Sequence, residues 1–117
     1  MIAYKVLDSA QRSAIASGEA SIFYDKNQWT LPRFNGRLFV FKHFKDALKF
    51  RGMDQHVWRC EVPSLKKIKI IAPYFSVAAI ARFWDKEDQE RKNMPKHVAP
   101  TGSYTATKVK LLQRYDN

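Results

Sequence analysis

Residues 37 to 62 read Arg37-Leu-Phe-Val-Phe-Lys-His-Phe-Lys-Asp-Ala-Leu-Lys-Phe-Arg-Gly-Met-Asp-Gln-His-Val-Trp-Arg-Cys-Glu-Val62, and their hydrophobic period changes twice. Leu38 to Phe41 is a continuous apolar run rich in aromatic and β-branched side chains, which predicts a strand covered on both faces. From His43 to Phe50 the spacing turns helical, with Phe44, Ala47, Leu48 and Arg51 at i, i+3, i+4 and i+7. Gly52 follows the last periodic residue and is the expected helix terminator, since glycine adopts a left-handed conformation without a Cβ penalty. His56 to Val62 then alternates, with Val57, Arg59 and Glu61 on one side and Trp58, Cys60 and Val62 on the other, until Pro63 ends the strand. Strand, short helix and strand in this order fit a right-handed βαβ unit or an antiparallel arrangement, and the sequence leaves both open.

Toward the N-terminus, Ile2 to Leu7 alternates and reads as a first strand. Asp8 or Ser9 is placed to cap a short helix over Ala10 to Ser17, closed by Gly18 and anchored by Ile15. Ser21 to Tyr24 and Trp29 to Leu31 read as short strands joined by the Asp25-Lys26-Asn27 turn, with Pro32 and the Phe34-Asn35-Gly36 turn leading onward. Trp29 is assigned to core packing of that hairpin rather than to ligand stacking.

Toward the C-terminus, Leu65 to Ile71 reads as a strand with Lys67 and Lys69 on one face and Ile68 and Ile70 on the other, ended by Pro73. Ser76 is placed to cap a helix over Val77 to about Arg91, whose stripe is Val77, Ile80, Ala81, Trp84 and Asp88. Glu87, Asp88 and Glu90 interleave with Lys86 and Arg91, which marks a solvated helix end rather than a metal or acid/base cluster. Asn93 to Gly102 is a loop, and Tyr104 to Leu112 a last strand pairing with the first or second. These elements predict a single α+β domain: a mixed or mainly antiparallel sheet of about five to six strands with two to three short helices.

With 117 residues, 45 % hydrophobic and 27 % charged, the chain has the composition of one globular domain rather than a disordered segment. It holds no run of about 18 apolar residues and no basic-then-apolar start, so neither a transmembrane helix nor a signal peptide is expected. The one cysteine, Cys60, excludes an internal disulfide and a cysteine metal cluster, and a reducing cytoplasmic location is the default. The net charge is +10 and lopsided: residues 1 to 36 carry 4 basic and 3 acidic side chains, residues 37 to 117 carry 17 and 8. Such a surplus attracts polyanions, so nucleic acid or an acidic protein surface is the expected partner.

No catalytic motif stands out. With only four glycines there is no phosphate-cradling Gly-rich loop, and no Gly-x-Ser-x-Gly elbow or close pair of metal-ligand His or Cys occurs, so no catalytic residue, metal or cofactor is assigned. His43, His56 and His97 are scattered; His56 with Glu61 would suit a ribonuclease, but their odd spacing puts them on opposite strand faces. The stronger candidate is cationic. Lys42, Lys45, Lys49 and Arg51 lie in or beside the short helix, while Lys66, Lys67, Lys69, Lys108, Lys110 and Arg114 lie on strands. Lysines neutralise phosphates without reading sequence, so these ten predict non-specific, salt-sensitive binding of RNA or DNA, with Tyr74, Phe75 or Tyr104 available to stack bases. A merely solvated sheet face is the plain alternative for the same lysines.

Ala3-Tyr-Lys-Val6, Gly36-Arg-Leu-Phe-Val-Phe41, Ala47-Leu-Lys-Phe50, Val57-Trp-Arg-Cys-Glu-Val-Pro63 and Ala106-Thr-Lys-Val-Lys-Leu-Leu112 together resemble small phage and bacterial domains whose layout is similar to compact ADP-ribosyltransferase-like folds. In that superfamily the NAD site takes a His or Arg on the first strand, a middle Tyr or Ser and a late Glu. Here Lys5 stands near the first position, and no Glu occurs between Thr101 and Leu112. The resemblance therefore implies a binding scaffold, in a phage setting an accessory or anti-defence protein engaging a host nucleoprotein complex in the host cytoplasm. The alternatives are an active or degenerate ADP-ribosyltransferase-like enzyme and a small basic ribonuclease using His56 or His97.

Overall fold

The computed structural model describes residues 1–13, 22–32, 37–68, 70–71 and 97–116. Its strands are β1 (Ile2–Asp8), β2 (Trp29–Thr30), β3 (Leu38–Phe41), β4 (Gln55–Glu61), β5 (Lys66–Lys67), β6 (Ile70–Ile71), β7 (His97–Val98), β8 (Ser103–Ala106) and β9 (Val109–Arg114), and α1 (Phe44–Phe50) lies between β3 and β4. Seven strands form one sheet in the order β2-β9-β4-β1-β3-β8-β5, every neighbouring pair antiparallel, and β6 pairs with β7 apart from it.

The order forces the sheet to curl. β8 and β9 are four strand spacings apart, about 19 Å in a flat sheet, yet two residues separate them in the chain, which allows their facing ends no more than about 11 Å. Ser103 to Arg114 is thus one bent strand whose first half pairs with β3 and β5 and whose second half pairs with β2 and β4. Bending it closes the sheet on itself.

Closure separates two packed faces. Ala3, Leu7, Leu38, Val40, Cys60, Val62, Ala106, Val109 and Leu111 fill the inside with Tyr24, all at most 3 % exposed. On the outside, Val6, Phe41 and Val57 are covered by Ala47 of α1, with Tyr4, Phe44 and Phe50 packed around them. β3 is buried from both sides, as its continuous apolar run predicts. Phe44 and Tyr115 meet edge to face at 5.1 Å, which fastens the end of the described chain over the helix.

Between β3 and β4 the chain makes a crossover through α1, but β1 lies between them and is antiparallel to both. The two strands run in the same direction with β1 between them, so the unit is a strand-helix-strand crossover that skips one strand. Helical spacing is realised over Phe44–Phe50, where Ala47 is buried while Leu48 faces solvent at 40 % exposure. Gly52 does not terminate the helix in a left-handed conformation. The Arg51 N–H instead donates to the Ala47 carbonyl, and the Gly52 N–H donates to Gln55 Oε1 at 2.8 Å.

The expected α+β domain with two to three helices is corrected to a mostly β architecture, with one seven-residue helix and a seven-stranded sheet among the described residues. One reason is local. Asp8 Oδ1 accepts from the N–H groups of Ala10 and Arg12, Gln11 turns at φ 59°, and Arg12 and Ser13 bridge to Phe23 and Leu7, so Ala10 to Ser13 form a turn and an extended return, not the start of a helix. The helix expected over Val77 to Arg91 lies outside the described residues. Leu65 to Ile71 is not one strand but two, serving different sheets, and His97–Val98 is a strand inside the expected loop. The last strand, expected over Tyr104 to Leu112, is bent at Thr107 and Lys108 and pairs with four partners, β2 among them but not β1.

Candidate nucleic-acid interface

Along the second half of the bent strand, Val109 and Leu111 point inward, so Lys108 and Lys110 point outward. Trp29 sits on edge strand β2 directly opposite Lys110 and is 38 % exposed. The Lys108 ammonium lies 4.4 Å from the centre of the Trp29 ring and the Lys110 ammonium 5.0 Å. Neither lysine has a carboxylate partner among the described residues, although Glu61 is Lys110's cross-strand neighbour on β4. An exposed indole and two ammonium groups thus share one outward-facing spot. Leu31, at 65 % exposure, extends its apolar border.

The other cationic candidates do not gather there. Lys42 lies just before α1, its ammonium 6.0 Å from the centre of the Tyr104 ring, and Lys67 is Tyr104's cross-strand neighbour on edge strand β5. Lys45 and Lys49 are exposed on α1, Lys66 is exposed on β5, and Lys69 lies outside the described residues. Arg51 and Arg114 serve a different purpose. Arg51 Nη1 donates to Asp116 Oδ2 at 2.5 Å and Arg114 Nε to Asp116 Oδ1 at 3.1 Å, around a carboxylate with no solvent exposure. Burial alone would raise that carboxyl's pKa. Hydrogen bonds from Arg51, the Val57 N–H and Arg114 outweigh it and hold the group below its usual range. Arg51 thereby fastens the C-terminal segment to the end of α1 while Arg114 braces Asp116 from two residues away, leaving eight lysines as the cationic candidates.

Of the proposed stacking residues, Tyr74 and Phe75 lie outside the described residues and Tyr104 is half-buried against the core. Trp29, assigned to the core from sequence, is instead exposed, as are Phe23 and Tyr115. No local signal marked it: Pro63 stands as close behind β4, which lies inside the sheet, as Pro32 does behind the edge strand β2.

The inside of the sheet holds an unexpected cation. Lys5 alternates with Ala3 and Leu7 and therefore points inward, leaving it 8 % exposed. Its ammonium donates to the Phe39 carbonyl at 2.6 Å and lies 5.2 Å from the centre of the Tyr24 ring. Burial pulls its pKa down to about 8, partly opposed by Cys60. Burial likewise pushes the Cys60 thiol up to about 12 and raises the Tyr24 hydroxyl. The position that the ADP-ribosyltransferase-like layout matches to an NAD-site side chain is, in this chain, a core lysine.

The three histidines lie on separate stretches of the chain. His43 precedes α1, His97 lies on β7, and His56 at the start of β4 has its Nδ1 3.8 Å from Asp116 Oδ2. His56 and Glu61 fall on opposite faces of β4, as their spacing requires. No group of three or more His, Cys, Asp or Glu able to hold a metal occurs among the described residues, and no helix there is long and apolar enough to cross a membrane. Compared with family models, with curated proteins and with solved structures, the chain matches none.

Proposed function

We propose that this chain is a non-enzymatic basic domain that binds nucleic acid by neutralising phosphates. The observation that supports it best is the outward pair Lys108 and Lys110 beside the exposed Trp29, with no carboxylate partner among the described residues. Lys42, Lys45, Lys49 and Lys67 add exposed positive charge elsewhere on the surface, within a chain whose net charge is +10. Lysine is a flexible point charge without the planar fork that reads base edges, so binding of this kind follows the backbone and is indifferent to sequence. In the phage setting that the sequence resemblance implies, the target is nucleic acid or a nucleoprotein complex of the host.

The test is the salt dependence of binding. Affinity for a short DNA duplex should fall linearly in a plot of log affinity against log salt, and Lys108→Ala with Lys110→Ala should flatten the slope by about 1.8, two phosphates at about 0.9 each. An affinity that ignores salt, or a slope that the double variant leaves unchanged, would overturn the proposal. Capture from a lysate that survives nuclease treatment would move the assignment to an acidic protein surface.

A further inference from the structure

We infer that the ligand at this spot is an unpaired strand of nucleic acid, one of whose bases stacks on Trp29; this rests on the reading just proposed and names its substrate class. In a duplex the base faces are already stacked on one another, so a protein can engage it here only through phosphates, and an exposed indole adds nothing. In a single strand every base offers a free face, and an aromatic side chain beside a cationic groove is the arrangement that uses it.

Here the two functions come from three adjacent side chains. Trp29 is held by its backbone pairing with Lys110, and the Lys108 and Lys110 ammonium groups lie 4.4 and 5.0 Å from the ring centre. A base arriving on the ring displaces an ammonium group from it and leaves that group beside the base's own flanking phosphates. The exchange trades a weak exposed cation–π contact for stacking plus phosphate neutralisation, which favours the bound state. Such stacking tolerates any base, in keeping with lysines that read no sequence. Tyr104 with Lys42 repeats the pairing of ring and ammonium on the first half of the same bent strand, but its ring is half-buried and holds the core, so Trp29 is the residue to test.

Binding of a fluorescein-labelled 15-residue oligothymidylate and of a 15-base-pair duplex is measured by anisotropy for the full chain. Trp29→Ala should weaken single-strand binding about tenfold or more and leave duplex binding within about twofold. Trp29→Phe, which keeps an aromatic face, should recover most of the loss. Because Trp29 sits on an exposed edge strand, the variants are expected to keep the far-ultraviolet circular dichroism of the parent. Equal weakening of both ligands, or of neither, overturns the inference while salt-dependent binding still supports the phosphate reading. Absence of binding to either ligand at low salt overturns both.

Discussion

Replacing Lys5 by Met should stabilise the fold at neutral pH, although it removes a hydrogen bond. Lys5 is 8 % exposed inside the curled sheet, and its pKa falls from 10.5 to about 8 because burial penalises the ammonium. The folded-state value lies below the unfolded one, so between about pH 8 and 10.5 the unfolded chain holds a proton that the folded chain has released. Stability from this group therefore rises with pH across that window and is lowest below it. At about 1.36 kcal/mol per pH unit, the charged lysine costs about 3 kcal/mol at pH 7. The bond to the Phe39 carbonyl returns about 1 kcal/mol, and Met fills a similar volume without a charge. Lys5→Met should thus be more stable than the parent by about 2 kcal/mol at pH 7, with the advantage vanishing toward pH 10.5. Cys60 and Tyr24, both raised by burial, titrate with the opposite sign: their unfolded forms release protons first, so their contribution to stability is lost as pH rises above about 9. The parent's own stability profile mixes these effects. The difference between variant and parent, measured by urea unfolding at pH 7 to 10 and repeated on a Cys60→Ala background, isolates Lys5. A variant no more stable than the parent at pH 7, or a difference that does not shrink as pH rises, would refute the reasoning.

Two further outcomes follow from the same structure. Asp116→Asn should cost about 1–2 kcal/mol, because the guanidinium groups of Arg51 and Arg114 lose a buried partner yet keep access to water. Since the Asp116 carboxyl is held below its ordinary value of 3.8, its contribution is complete above that value and lost as pH falls through the folded one. Acid unfolding followed by circular dichroism should accordingly show a flatter limb in the variant. Cys60, fully buried with its thiol pushed up to about 12, should resist iodoacetamide at pH 8 in the folded chain and react promptly in 6 M guanidinium; rapid labelling of the folded chain would contradict its place inside the sheet.

Local pattern carried the sequence as far as the elements with strong short-range signals. β1, β3, α1 and β4 lie within a residue or two of where alternation, the apolar run and helical spacing put them, because each depends on neighbours a few positions away. The positive surplus was equally legible, since charge is a property of the chain before it folds. Which cations share a surface was not: Arg51 and Arg114, far apart in sequence, meet over Asp116, and Lys108 and Lys110 meet Trp29 only because β2 pairs with β9. Nor was the architecture. Residues 103 to 114 look like an ordinary strand, and only their pairing with β3 and β5 at one end and β2 and β4 at the other bends them and closes the sheet. That closure turned Lys5 inward and left Trp29 outside, the reverse of what each side chain's polarity suggests, because a strand residue's surroundings are set by which face of which neighbour it meets, and those neighbours arrive from distant parts of the chain.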